Sequence, residues 1–278
     1  MTRDARLTLA RPDLAAAPLE GAVAAARYET TRPLQVTASR APLQRAPDRN
    51  AEWLDELIHG ERFDALAAAG DYLWGQARRD GYVGFVRAGA VEPVGSPPTH
   101  RVKAISSYAF AEPSFKSRPI GPFSLNALIT FEAEEGPFAR ASDGAYFWTG
   151  HLAPIGAGFE TDPAAVAERF VGAPYLWSGR TSAGLDCSGL IQQALYAGGK
   201  ACPRDADQQA MLGRDIRRDE LRRGDLVCWE GHIGIMLDDT RLLHASSHHM
   251  ATAVEPLGEV VARNQAAGRG APTGYRRL

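Results

Sequence analysis

Cys187 lies in the segment GLDCSGLIQQALYAGG at 184–199, where Asp186 reads as a helix N-cap and Cys187 as the first helical residue. Leu190, Ile191, Ala194 and Leu195 fall on one face of that helix, and Gly198 with Gly199 should stop it. A thiol at this position meets unpaired N–H groups and the positive end of the macrodipole, which favour thiolate. The first turn of a glycine-flanked helix is expected to be exposed, so a reactive cysteine is favoured over an inert core one.

A thiolate that cleaves an amide also needs a group that can protonate the leaving amine, and histidine suits that task. Of the seven histidines, His232 opens GHIGIML and His244 sits in LLHASS, with Asp238, Asp239 and Thr240 as turn residues between. An antiparallel hairpin centred on Asp238 sets the two imidazoles opposite one another on one face. One can then serve Cys187 while the other fixes its tautomer. Tyr175 precedes Cys187 across a glycine-rich loop, which could return its hydroxyl over the helix N-terminus as an oxyanion donor beside the Cys187 N–H. Trp177 could wall a pocket. Cys228, in the apolar run DLVCW, reads as core, and Cys202 lies in a loop before Pro203. His248, His249 and Met250 read as a loop beside the site, with no spaced third ligand for a metal.

The elements that must hold these residues begin near Gly156, where TDPAAVAERFVG reads as a helix with Thr161 or Asp162 as N-cap and Pro163 at its first position. The helix from Asp186 follows, then strands at 225–230, 231–237 and 241–246, an α+β order. Ahead of this domain the texture is that of β-structure. Segments LQVTAS, ERFDALAA, DYLWGQAR and DGYVGFVRA suggest one small barrel over 34–97, and VKAISSYAF, ALITFEAEE and AYFWTGHLAP a second over 98–155. Both sets end in a glycine-plus-aromatic stretch, DGYVGFVRAGAV and DGAYFWTGHLAP, as repeats would. Residues 1–33 read as an extended arm with a helical turn within 14–27.

Composition narrows the function class. Thirty-one basic against 33 acidic side chains give a net charge of -2, with no long single-sign run, so no footprint for nucleic acid or an anionic membrane is visible. The first twenty residues lack the apolar core of a secretory signal, no stretch is long enough to span a bilayer, and a cytoplasmic protein is expected. Three cysteines, unpaired in spacing, indicate neither a disulfide framework nor a zinc site.

Together PYLWSG at 174–179, GLDCSGL at 184–190, RRGDLVCW at 222–229, GHIGIM at 231–236 and LLHASS at 242–247 resemble the NlpC/P60 family of cell-wall cysteine peptidases. The resemblance implies a papain-like C-terminal domain over 156–278, with Cys187, His232 and His244 as catalytic residues and Tyr175 as the active-site tyrosine. Ser178 stands where the family loop usually has glycine. PRDADQQ at 203–209, HHMATAVEPL at 248–257 and the two preceding barrels further resemble the branch of γ-D-glutamyl-L-diamino acid endopeptidases carrying SH3-like domains. In that branch the acid before the nucleophile, here Asp186, helps bind the free amine of an N-terminal L-Ala. Tyr82 and an acid of the first barrel, Glu56 or Glu61, would assist it, and Ser188 could add a hydrogen bond to substrate.

The implied function is hydrolysis of the γ-D-glutamyl to diamino acid bond in short murein peptides during cell-wall recycling. No metal or organic cofactor is expected, since the thiolate supplies the nucleophile. A non-catalytic peptidoglycan-binding module, or a thiol acyltransferase or amidase on the same fold, would keep many of the same residues.

Overall fold

A computed structural model describes residues 3–278. The chain divides into two compact units, 1–155 and 156–278. Among the described residues, no helix is long and apolar enough to cross a membrane.

In the first unit a seven-stranded sheet has the spatial order Trp53–Ile58, Arg40–Gln44, Val83–Arg87, Tyr72–Ala77, Arg62–Ala69, Arg32–Val36, Val91–Pro93. Alternating apolar residues of these strands, among them Leu34, Val36, Leu43, Phe63 and Val86, form one core. A five-stranded and a three-stranded sheet follow, and Val102, Ala109, Phe123, Ile129 and Phe147 build a second core between them. Both halves end in the same order of elements. Val83–Arg87, a 3-10 turn at Ala88–Ala90 and Val91–Pro93 in the first correspond to Tyr146–Trp148, Thr149–His151 and Leu152–Pro154 in the second.

The N-terminal arm is tied to the first sheet. Val83 N–H donates to the Arg6 carbonyl and Gln76 Nε2 to that of Leu7, at 2.8 and 2.9 Å. Leu9, Leu14 and Ala16 cover Leu66, Tyr72, Trp74 and Phe85, and the Arg11 guanidinium stacks 4.0 Å from the Trp74 ring. The helical turn expected within 14–27 shrinks to one 3-10 turn at Ala17–Leu19, because Ala15–Ala16 instead pairs with Tyr28–Glu29.

In the second unit Asp162 caps the Pro163–Glu168 helix, accepting from the Ala164 and Ala165 N–H groups. The Cys187–Ala197 helix is capped by Asp186 and ends at Gly198 and Gly199, the latter at φ +72°. The two helices pack on each other, and the second also lies on the His232–Met236 strand. That strand belongs to a six-stranded antiparallel sheet ordered Arg214–Asp215, Gly274–Arg277, Leu226–Trp229, His232–Met236, Arg241–Ser246, Ala251–Pro256. Apolar residues of the sheet, including Val227, Trp229, Met236 and Leu242, bury the inner face of the Leu257–Ala266 helix through Leu257, Val260 and Val261.

The histidine hairpin differs from expectation in register. Ile235 pairs with Leu243 and Met236 with Leu242, which centres the turn on Asp239 and not on Asp238. Asp238 Oδ1 accepts the N–H groups of Thr240 and Arg241 at 2.8 and 2.7 Å, and this Asx turn claims the extra residue. His232 and His244 thus become diagonal rather than opposed neighbours. The shift is by an even number of residues, so both remain on one face.

Candidate active site

The cap of the Cys187 helix is a buried polar network. Asp186 Oδ1 accepts from the Gly189 N–H at 2.7 Å and Oδ2 from the Ser178 N–H at 2.8 Å. Arg204 grips both oxygens, at 3.0 and 2.7 Å, and also reaches Ser188 Oγ at 2.7 Å. Ser188 Oγ in turn donates to Asp186 at 3.2 Å. Gln209 Nε2 donates to the Ser188 carbonyl at 3.0 Å, so the 203–209 segment clamps the first turn at two points. Ser188, expected to add a hydrogen bond to substrate, is buried, with its hydroxyl donating to Asp186 and accepting from Arg204.

Two backbone positions let the helix end approach the loop before it. A Cβ on Gly189 would lie 2.3 Å from the Gly179 carbonyl oxygen, so only glycine fits. Ser178 adopts φ +64°, the left-handed conformation glycine takes without cost, which accounts physically for glycine being usual there. Gly189→Ala is expected to destabilise the protein by about 1–3 kcal/mol through overpacking against a carbonyl that cannot yield. Guanidinium unfolding checks this, and an unchanged midpoint would remove the close-approach argument.

Cys187 is 5% exposed, not the open position expected, because the His232–Met236 strand lies across the helix end. Its sulfur is hydrogen-bonded by the N–H groups of Ile233 and Ser188. Burial first, and the charge of Asp186 second, push the thiol up to about 12 against those amides and Arg204. The expected depressed thiol pKa is therefore reversed. Burial thus favours the neutral thiol, and the Ile233 N–H that bonds its sulfur lies next in sequence to His232.

His232 Nε2 lies 2.7 Å from His244 Nδ1, and His244 Nε2 lies 2.8 Å from Glu255 Oε1. Arg263 grips Glu255 at 2.6 and 2.7 Å, and His249 Nε2 stands 3.0 Å from the same Oε1. Burial works against the Glu255 charge, but hydrogen bonds from Arg263, His244 and His249 outweigh it and hold the carboxyl at about 2. An ionised carboxylate only accepts, so His244 carries its proton on Nε2 and offers a lone pair on Nδ1. His232 must then donate from Nε2, which leaves its Nδ1 as the free base. Gly234 makes room for this pair, since a Cβ there would come within 2.8 Å of Leu242 and 3.1 Å of His244.

Burial first, then the charge of His244, Arg269 and Arg263, lower His232 from 6.5 to about 3. Both lowered groups act in one direction. The unfolded chain binds a proton on His232 below about 6.5 and on Glu255 below about 4.5, while the folded chain resists to about 3 and about 2. Stability is expected to be complete above pH 6.5 and to be lost progressively on acidification towards pH 2–3. Urea midpoints at pH 7 and pH 4 measure it, and a higher midpoint at pH 4 would contradict the sign.

Tyr175 pairs with Leu185, two residues before Cys187, and its N–H donates to the Met250 carbonyl at 2.9 Å. Burial, then the charge of Cys187, raise its phenol, so the hydroxyl stays a donor. Trp177, 58% exposed, lines a cavity of about 210 Å³ together with Tyr175, Trp229, His232 and His244.

Tyr82 belongs to the first core, Glu56 pairs with Arg40 at 3.0 Å, and Glu61 bonds the Ile58 N–H and Arg79. Arg79 also reaches the Asn126 carbonyl, which makes Glu61 part of the joint between the two halves of the first unit. Cys228 is buried between the paired residues Ile233 and Gly274, and Cys202 is buried with its sulfur 3.5 Å from the Pro203 carbonyl. Sequence reasoning missed Arg204, Glu255 and Arg263. Arg204 lies inside PRDADQQ and Glu255 inside HHMATAVEPL, but neither spacing nor residue type singled them out there.

Residues 172–266 match the NlpC/P60 family, and residues 43–91 match the family described as bacterial dipeptidyl-peptidase Sh3 domain. The chain carries an NlpC/P60 domain. The stretch matching the SH3 domain precedes the one matching NlpC/P60. The γ-D-glutamyl-L-lysine dipeptidyl-peptidase of Bacillus subtilis is 33% identical over 100 residues, 33% of this chain and 34% of that protein. Dipeptidyl-peptidase 6 of Lysinibacillus sphaericus is 33% identical over 89 residues, 32% of this chain and 33% of its own length. The matched stretch spans about a third of such relatives. The crystal structure of an NlpC/P60 family protein from Bacillus cereus shares the fold, with a TM-score of 0.75 at 18% identity, covering 88% of this chain and 99% of that one. The matched stretch 172–266 includes Tyr175, Cys187, His232, His244 and Glu255.

Proposed function

We propose that this NlpC/P60 protein is a cysteine endopeptidase that hydrolyses the γ-D-glutamyl to diamino acid bond of murein peptides bearing a free N-terminal L-Ala. The observation that carries the peptidase reading is the hydrogen-bonded series His232, His244, Glu255, which leaves a basic nitrogen on His232 beside the Cys187 helix end. Cys187 attacks the γ-carbonyl while His232 takes its proton. Tyr175 and the Cys187 N–H steady the oxyanion, and His232 returns the proton to the departing amine. Water, activated by the same imidazole, then releases the acyl group.

The substrate reading is supported by the dipeptidyl-peptidase names of the relatives and of the SH3 family. A second barrel of the SH3 type over 98–155 and a papain-like C-terminal unit complete the proposed architecture. Asp186 is the acid nearest the nucleophile in sequence, but Arg204 already balances its charge, so a substrate amine would have to share it. Tyr82 would contribute to the same amine end. Short soluble fragments with a free amine belong to recycling, and the proposed setting is the cytoplasm.

The test is mass spectrometry of L-Ala-γ-D-Glu-meso-diaminopimelate, with free or acetylated amine, after incubation with the protein and with Cys187→Ala as inactive control. Cleavage of the free-amine peptide alone is expected. Cleavage of both forms would keep the peptidase and remove the amine requirement. Cleavage of neither would turn the reading towards thiol acyl transfer or non-catalytic wall binding.

A further inference from the structure

The turn at 247–250 joins the strands Arg241–Ser246 and Ala251–Pro256 and contains the stretch His248, His249, Met250 that the catalytic series leaves unused. Two of its residues are tied to that series. The Met250 carbonyl accepts the Tyr175 N–H at 2.9 Å, and Pro174 pairs with Ala251, so the backbone that carries Tyr175 is held on this hairpin. Met250 takes φ +50°, a left-handed conformation unfavourable for its side chain, so the turn depends on its tethers. His249 reaches back along the second strand, and its Nε2 stands 3.0 Å from Glu255 Oε1. Between the two tied residues and their strands, Ser247 and His248 line the cavity together with Tyr175, His232 and His244.

Glu255 Oε1 thus meets two imidazoles, His244 at 2.8 Å from within the first strand and His249 from the turn. Arg263 bonds both oxygens and fixes the plane of the carboxylate, while His249 ties that carboxylate to the turn. The His249 ring also packs edge-on against His248, with centroids 4.7 Å apart. We infer that His249 is a positioning residue: through Glu255 it locks the 247–250 turn, and with it the Met250 carbonyl that holds Tyr175. One shared hydrogen bond then sets the proton relay and the oxyanion donor together. The inference rests on the proposed peptidase reading and deepens it. The His249 side chain is 38% exposed and belongs to none of the apolar cores, so its replacement leaves the fold intact.

The experiment compares two variants of the full chain. His249→Phe keeps a ring against His248 and loses the donor, whereas the amide nitrogen of His249→Gln can take the place of Nε2. In hydrolysis of L-Ala-γ-D-Glu-L-Lys, His249→Phe is expected to lower kcat about tenfold with KM changed less than about twofold. His249→Gln should return to within about threefold of the unmodified protein. A second readout needs no peptide. The rate of Cys187 alkylation by iodoacetamide, followed by intact mass with Cys187→Ala as blank, should fall about three- to tenfold in His249→Phe and recover in His249→Gln. A loss confined to KM, or equal losses in the two variants, would overturn the lock. Cleavage by the unmodified protein, with His249→Phe matching it in both readouts, rejects the lock alone. Absence of cleavage with the alkylation contrast intact rejects the peptidase reading and keeps the lock, and absence of both rejects the two together.

Discussion

Glu255→Gln is expected to lower kcat by about 10²- to 10⁴-fold with the protein still folded, although Glu255 is two residues removed from the thiol along the hydrogen-bonded series. Every neighbour of the Glu255 carboxylate is a donor, with Arg263 on both oxygens and His244 and His249 on Oε1. An amide has one accepting end. If its NH2 faces Arg263, two donors collide at a site now 2.6 Å across. If it faces His244, that ring must carry its proton on Nδ1, pointing at His232 Nε2. His232 then places its own proton on Nδ1, and the thiol has no base. Either outcome removes the arrangement that fixes the tautomer. Steady-state kinetics should show kcat and kcat/KM falling together, since the interaction matters to the proton transfer and not to substrate binding. A fall confined to KM, or a loss below threefold, would show that His232 finds its tautomer without Glu255. Glu255→Asp, which keeps an acceptor on a shorter stem, should recover part of the rate.

The parts of the site that were legible in the sequence are those specified locally. Asp186, Cys187 and the two closing glycines lie within 14 consecutive residues, and cap, nucleophile and stop signals act over one or two helical turns. The histidine pair was legible as a pair because strand periodicity fixes the face a side chain takes. Its register was not, since one Asx turn at Asp238 moved the centre by a residue. The burial of Cys187 depends on a strand more than forty residues later in the chain and has no local signal. Arg204 and Glu255 act through partners 18 and 11 residues away, across a loop and across a strand pair, where spacing carries no pairing information. The arm failed for a similar reason. Leu9, Leu14 and Ala16 look weakly periodic alone and acquire their conformation from the Trp74 face they cover.

The same dependence on distant partners makes Arg204→Met costly. Arg204 is 1% exposed and Asp186 4% exposed, and the guanidinium holds both carboxylate oxygens. Methionine fills similar apolar space, so cavity formation adds little. The loss comes from a buried carboxylate deprived of its counter-charge, typically about 3–5 kcal/mol. The residual bonds from Gly189, Ser178 and Ser188 soften the penalty without neutralising the charge. Asp186→Asn with Arg204→Met removes both charges and should be less destabilised than the sum of the two single changes, by at least about 1 kcal/mol. Guanidinium unfolding of the four proteins closes this cycle. Additive losses would mean that Arg204 stabilises the helix end through Ser188 and packing alone. A non-additive cycle would assign the pair its place in the site, holding the first turn of the nucleophile helix so that Cys187 meets the Ile233 amide and the His232 base.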